Sequence, residues 1–393
     1  MTNTRDEITE RKYIDEFVDR LRKQIYIEDE ELVHIVLSTA AAKLLKGGPL
    51  WLLLVGAPGS GKTTLLSLFT KSDHSITLSK ISNRSLLSGH DKVLAGDDTL
   101  DKMKDKLVVI KDIAPIMSSG STTSEVLADL RDAYDGHVVK AWGTTVGTKE
   151  WRGRFGLIIA STGSIDRDWG KFAELGERFI RVDTLIKNRK ALAKAANART
   201  ADTGNMVAAL EAMGREFFDY YSGKVDRVPS ISDEVRDLLV MLANVTTHLR
   251  SPVSRDRYKK LVVIPEIEVG TRLAIQLELL VTSMAFLDER PTVELVAGYR
   301  LALRVAVDSI PKMRTLILRA ILMGQTREAD IIRGLLLPKT TLHYELEDLI
   351  AIRVLKQREN SNEYQISDPV LEEMRKTGMA NYLSRHNTSP LVA

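Results

Sequence analysis

Nine residues, Gly56-Ala57-Pro58-Gly59-Ser60-Gly61-Lys62-Thr63-Thr64, constrain this chain more than any other stretch. The apolar run 51–55 precedes them and Leu65-Leu66-Ser67-Leu68-Phe69 follows, so the predicted order is strand, glycine loop, helix. In that context the G-x-x-x-x-G-K-[ST] spacing is a phosphate cradle rather than a chance turn. Gly56, Gly59 and Gly61 let successive backbone N–H groups curl around phosphate oxygens, with Pro58 and Ser60 between them. The helix opening at Lys62 points its positive dipole end at the same place. Lys62 is positioned to reach the β- and γ-phosphates, and the Thr63 hydroxyl to ligate Mg²⁺, with Thr64 completing the nucleotide-binding set. ATP and Mg²⁺ are the expected ligands.

Composition narrows the alternatives. The 393 residues are enough for two or three domains, and 44% hydrophobic with 28% charged residues is the balance of a soluble globular chain. There is no cysteine, which excludes disulfides, zinc ribbons and thiol catalysis. The seven histidines are scattered with no H-x-H or H-x-x-x-H pair, so a histidine-built metal site is not expected. No stretch approaches eighteen apolar residues and residues 1–10 do not resemble a signal peptide; no membrane association and a cytoplasmic location are expected. A net charge of +3 permits nucleic-acid binding only through local basic patches.

Along the chain, residues 1–46 read as helices, with Tyr13, Phe17, Leu21 and Ile25 at helical spacing and a second apolar segment over 31–45. From 47 to 184, short apolar runs at 52–55, 75–78, 107–110, 157–160 and 179–182 alternate with helical stretches. That alternation predicts an α/β fold on a parallel sheet. Over 185–309 helical patterns take over, at 189–221, 233–249, 272–286 and 293–307. Residues 310–372 form a third unit, and 373–393 read as a polar, flexible tail.

A P-loop ATPase needs a second acid to hold Mg²⁺ or to orient the attacking water. The run Leu107-Val108-Val109-Ile110 ends in Lys111-Asp112, which puts a carboxylate at a strand end. Asp112 is either the magnesium acid or the base, because Ile113 stands where a glutamate commonly follows the aspartate. The run 157–160 ends in Ser161-Thr162, where a hydroxyl could bond the γ-phosphate or the water. Between them, residues 137–153 interleave Lys140, Trp142, Lys149, Trp151 and Arg152 around Gly143 and Gly147, the pattern of a β-hairpin with its tip near 144–149. The tryptophans read as packing anchors, and the basic residues as nucleic-acid contacts.

This ordered set resembles the AAA+ ATPases, most closely the minichromosome-maintenance (MCM) helicases and the MCM-like helicases of phages and mobile genetic elements. The shared order is P-loop, acid-ended strand, helix, hairpin, polar strand end and an Arg-Phe pair at Arg178-Phe179. The resemblance implies an AAA+ P-loop core at 47–184 and a helical lid at 185–309. It implies that Thr162 (or Ser161) is the sensor residue, although asparagine is usual there. Arg178 is then the arginine finger that completes a neighbouring subunit's site, Lys149 the DNA-touching hairpin residue and Arg272 the arginine that opens a lid helix. Cellular MCM proteins carry a large DNA-binding and zinc module where this sequence has its 1–46 helices.

The 310–372 unit reads as three helices followed by a two-stranded wing, the winged helix-turn-helix plan. Its third helix would enter the DNA major groove by Lys339, Thr340 and His343, and its wing would add Lys356 and Arg358. Glu345, Glu347 and Asp348 make the rest of that helix acidic, which would repel DNA or suit a protein partner. Two functional expectations lead, ahead of a third, an ATP-dependent transcription or defence protein that uses the winged helix against another protein. One is an ATP-driven DNA helicase or translocase, a homo-oligomer of hexameric-ring type used in replication. The other is an ATP-controlled DNA-binding switch with slow turnover, such as an initiator, a helicase loader or a transposition regulator.

Overall fold

The computed structural model describes residues 12–88, 96–114, 121–143, 147–168, 178–198, 202–262, 266–293, 297–359 and 361–385. The start of the first expected helix, the hairpin tip at 144–146, residues 174–177 ahead of Arg178 and the tail from 386 lie outside the described residues.

The strands in chain order are β1 (Trp51–Val55), β2 (Ser75–Thr77), β3 (Leu107–Ile110), β4 (His137–Ala141), β5 (Thr148–Arg152), β6 (Gly156–Ser161), β7 (Phe179–Asp183), β8 (Leu355–Gln357) and β9 (Tyr364–Ile366). Five of them make one parallel sheet in the order β2-β3-β6-β1-β7. Every residue of β1, β3 and β6 is buried, as a sheet covered on both faces requires. The protein is therefore α/β with a central parallel sheet, as the alternating runs predict.

Period-two alternation sends neighbouring residues of one strand into different layers. Leu52, Leu54, Val109, Ile158 and Val182 join one core, with Phe17, Ile35, Phe217, Leu242 and Leu280 from the helices that cover that face. Trp51, Leu53, Val108, Leu157 and Phe179 join the other, with Leu100, Met103, Leu127 and Phe155. Trp51 is fully buried, and its indole N–H finds the Phe155 carbonyl at 2.9 Å, so no polar atom is stranded there.

The helices Tyr13–Gln24 and Glu30–Ala42 are part of the first layer rather than a separate amino-terminal unit. Tyr13 stacks on Tyr220 with ring centroids 3.7 Å apart, and Phe17 meets Phe217 at 5.5 Å. The expected single helical pattern over 189–221 divides into the helices Arg189–Ala198 and Thr203–Ser222. Asp233–Arg250, Thr271–Leu287 and Ala297–Asp308 complete the helical region. Among the described residues, no helix is long and apolar enough to cross a membrane.

At the carboxy-terminal side, helices Lys312–Leu322, Glu328–Leu335 and Lys339–Ala351 precede the antiparallel pair β8–β9. Gly324, at φ +88°, ends the first of them. The flexible tail expected from 373 is corrected by two further helices, Asp368–Lys376 and Met379–Arg385. Met374 and Met379 are fully buried and Leu383 is nearly so, while the Tyr299 hydroxyl donates to the Thr377 carbonyl at 2.8 Å. The polar composition of the segment masks apolar residues at helical spacing, each of which contributes about 1.5–3 kcal/mol when buried.

Candidate functional site

The glycine loop 56–61 leaves the end of β1 and returns into the short helix Lys62–Leu66. Gly59 and Gly61 take φ of +75° and +84°, the left-handed region that L side chains avoid. Gly56 is required for a different reason: a Cβ there would lie 2.0 Å from Thr184 Oγ1. The Lys62 ammonium turns back into the loop and donates to the carbonyls of Gly56 (2.7 Å) and Ala57 (2.9 Å) and to Ser60 Oγ (3.0 Å). Burial holds its pKa below the ordinary lysine value, and the nearby charge of Asp112 opposes that shift.

That electrostatic contact follows from the strand order. β6 lies between β1 and β3, with Val55 level with Ser161 and Ile110 level with Ile159. Lys62, Thr162 and Asp112 therefore emerge from the same carboxyl edge of the sheet, where open α/β sheets hold their ligands. The Gly56 N–H donates to the Ser161 carbonyl at 3.1 Å and Ile113 N–H to the Ala160 carbonyl at 3.1 Å, which ties the three ends together. Asp112 is exposed, its Oδ1 accepting from Ala114 N–H at 3.0 Å. Thr162 Oγ1 lies 2.7 Å from Ser164 Oγ, whereas Ser161 is buried, so Thr162 is the hydroxyl presented at the edge. Ile113 is 1% exposed and supplies no second acid beside Asp112.

Beside the loop lies a largely apolar cavity of about 380 Å³ that sequence reasoning missed. Gly59 to Leu65 and Ile25 to Asp29 line it, and Leu185, Ile186, Leu192 and Met206 are among the other lining residues. Thr63 and Thr64 both border it. Thr184 Oγ1, buried and without a hydrogen bond to any described residue, also faces it. The 25–29 wall is clamped from a distance. Asp29 accepts from Leu32 N–H (3.1 Å), Leu185 N–H (3.2 Å) and Arg304 (2.6 Å), and Glu28 from Lys187 N–H (2.9 Å). A five-residue link between two helices, Ile25-Tyr26-Ile27 followed by the acids Glu28 and Asp29, was the available signal.

Arg178 and Arg272 lie elsewhere. Phe179 pairs with Trp51 at the start of β1, so Arg178 sits a strand length, roughly 15 Å, from the phosphate loop. Its guanidinium is 5% exposed, bonded to Asp135 at 2.5 Å and placed over the Tyr134 ring at 5.6 Å. Gln276, one turn along the Thr271–Leu287 helix from Arg272, donates to the Arg178 carbonyl at 2.7 Å. Burial raises the pKa of the Tyr134 phenol against its Gln276 bond and the charges of Arg272 and Arg178. The two arginines thus share one edge, away from the 56–61 glycine loop.

The hairpin forms where it is expected, but its lysines face the wrong way for the expected contact. In the β4–β5 register Val138 pairs with Trp151 and Lys140 with Lys149, which puts all four on one face. Trp151 is 4% exposed and anchors that face on the body, as expected of the tryptophan. Lys140 consequently bonds Asp129, and Lys149 bonds Asp98 at 3.0 Å. The outward face carries His137, Val139, Glu150 and Arg152, and Arg152 pairs with Glu150 at 2.5 Å.

Lys339, Thr340 and His343 are exposed on the first turns of the Lys339–Ala351 helix, as predicted. His343 Nε2 lies 3.2 Å from Glu347, so that histidine is partly engaged. Lys356 is half-buried and Arg358 exposed at the β8–β9 pair, and both face acids, Asp368 at 2.7 Å and Glu363 at 3.3 Å. The acidic half of the helix is also paired, through Arg255 with Asp348 (2.5 Å) and Glu347 (3.0 Å). Compared with known proteins, the chain matches no protein-family model and no curated protein sequence.

Proposed function

We propose that this chain is an AAA+ ATPase that acts on DNA as a homo-oligomeric ring, in the manner of the MCM-like helicases. The reading rests above all on one observation: Lys62, Thr162 and Asp112 meet at the carboxyl ends of three adjacent parallel strands beside a nucleotide-sized cavity. The reaction is phosphoryl transfer to water. Lys62 would neutralise phosphate charge, Thr63 and Asp112 would hold Mg²⁺, and Thr162 would orient the water. The apolar cavity between 25–29 and 185–206 would take the base.

The edge that carries Arg178 and Arg272 supports an oligomer. A group about 15 Å from its own phosphate loop can complete only a neighbour's site. Asp135 is half exposed, so a neighbour's phosphate would compete with it for the Arg178 guanidinium. On this reading the helices from Arg189 to Asp308 form the lid, and the three helices with β8–β9 form a winged helix-turn-helix. Hydrolysis of ATP measured without DNA, with single strands and with duplex tests it, with Lys62→Ala and Asp112→Ala as controls. DNA-stimulated turnover lost in both variants is expected; turnover retained in Lys62→Ala would contradict the reading.

A second reading, the slow ATP-controlled DNA-binding switch, draws on two observations. The hairpin lysines point inward, and buried Ile113 leaves Asp112 without a second acid. Slow turnover indifferent to DNA, together with ATP-dependent assembly, would favour it.

A further inference from the structure

The connection between the Asp233–Arg250 and Thr271–Leu287 helices contains Arg255-Asp256-Arg257-Tyr258-Lys259-Lys260, four cations in six residues. It folds as a tight hairpin. Arg255 bridges Leu261, Asp256 N–H donates to the Lys260 carbonyl at 2.9 Å, and Lys259 N–H to the Asp256 carbonyl at 2.9 Å. The Asp256 carboxylate is spent on the turn itself, accepting from the backbone N–H groups of Tyr258 (2.8 Å) and Lys260 (2.9 Å). Lys259 takes φ +61°, a conformation that a side-chain-bearing residue adopts only when its surroundings impose it. The turn is therefore shaped in advance, and its one acid is already engaged.

Arg255 docks this turn on the Lys339–Ala351 helix. Its guanidinium donates to the Tyr344 carbonyl at 3.0 Å as well as to Glu347 and Asp348, and lies 4.9 Å from the Tyr344 ring centre. Lys259 Nζ approaches the same ring at 5.0 Å. Arg314 faces the remaining acid, Glu345, at 3.8 Å. The acids that would repel DNA are thus neutralised from within. Arg257, Lys260 and Lys339 remain exposed and form no ion pair among the described residues, whereas the β8–β9 cations are paired.

We propose that the 255–261 hairpin is a second contact to duplex DNA, gripping the phosphate backbone beside the groove that the Lys339–Ala351 helix enters. This rests on the reading that the carboxy-terminal unit binds DNA. Arg255 meets Tyr344, Glu347 and Asp348, about 7.5 to 13.5 Å along the helix from Lys339, so the turn rides beside the helix's second and third turns. A B-form major groove is about 12 Å wide, so a structure flanking a helix in that groove meets the phosphates of its wall. Arg257 and Lys260 are the phosphate ligands. Tyr258, 67% exposed and 4.7 Å beneath the Arg257 guanidinium, packs on the sugars between them. One duplex is then held by the helical region and the carboxy-terminal unit together.

Fluorescence anisotropy with a labelled duplex of mixed sequence, over a range of salt, tests this on the full chain. The variants are wild type, the double variant Arg257→Ala/Lys260→Ala, and Lys339→Ala. Both loop positions are exposed, and an unchanged melting temperature verifies that the fold survives. Losing two phosphate contacts is expected to lower the slope of log K against log salt by about 2 and affinity by on the order of tenfold. A double variant with wild-type slope and affinity, while Lys339→Ala binds more weakly, overturns the hairpin contact and leaves the DNA reading standing. A wild-type chain that binds no duplex overturns both. Displacement of the duplex by polyglutamate at matched charge marks a site for acidic protein and also overturns the proposal.

Discussion

Lys149 and Asp98 form an ion pair across 3.0 Å in which the carboxylate is 6% and the ammonium 19% exposed. Asp98 also accepts from the Ser88 N–H at 2.7 Å, so the pair fastens the inner face of the β4–β5 hairpin to the 96–103 segment. A basic residue near a hairpin tip is here a fastening of the fold. Lys149→Ala should lower stability by about 1–3 kcal/mol, because it leaves a buried carboxylate without its cation. Duplex affinity should change little. Full stability with a large loss of DNA affinity would show that the lysine turns outward to the nucleic acid.

Gly56 and Thr184 are in direct conflict once either gains bulk. Gly56→Ala should abolish nucleotide binding, since its Cβ would sit 2.0 Å from Thr184 Oγ1 and 2.9 Å from Cγ2. Adding Thr184→Ala removes both atoms and should restore part of the affinity. Titration with a fluorescent ATP analogue reads both steps. Equal failure of the single and double variants would place the constraint elsewhere.

Asp308 gives stability a pH dependence. Burial first, and the neighbouring charge of Asp183 second, push its carboxyl up to about 7 against the opposing pull of Arg304. The folded chain then holds a proton that the unfolded chain has released, between roughly pH 4 and 7. Stability contributed by the protonated form is present at the low end of that window and is lost as pH rises through about 7. Urea unfolding of wild type should weaken relative to Asp308→Asn from pH 5 to 8. Parallel curves would mean that Asp308 does not titrate there.

The two last helices belong to the core, so shortening them should be costly. Met379→Ala is expected to destabilise by about 2–5 kcal/mol, the range for emptying a filled core position. Denaturant midpoints check this; a change below about 0.5 kcal/mol would mean that the segment contributes little to the packed structure.

The parallel sheet and the conformation of the 56–61 glycine loop were legible because their signals are local. Apolar runs of strand length and glycines at fixed spacing depend on neighbours in sequence, and Gly59 and Gly61 take the positive φ that the spacing requires. The hairpin faces were not legible, since alternation shows that Lys140 and Lys149 share a face without showing which face meets the body. Their partners, Asp129 and Asp98, are 11 and 51 residues away. The 25–29 wall of the cavity was hidden for the same reason: Asp29 is held by Arg304, 275 residues distant. Long-range ion pairs leave no periodic trace.

A site shared between two copies of the chain is the central claim, and mixing two inactive variants tests it most directly. Lys62→Ala removes the phosphate-loop cation and Arg178→Ala the edge arginine, so each alone should have little ATPase activity. In an equimolar co-assembled mixture, roughly a quarter of the interfaces would join an intact phosphate loop to an intact arginine edge. ATP hydrolysis recovering toward that fraction is the predicted result. No recovery on mixing, or full activity in Arg178→Ala alone, would contradict the shared site.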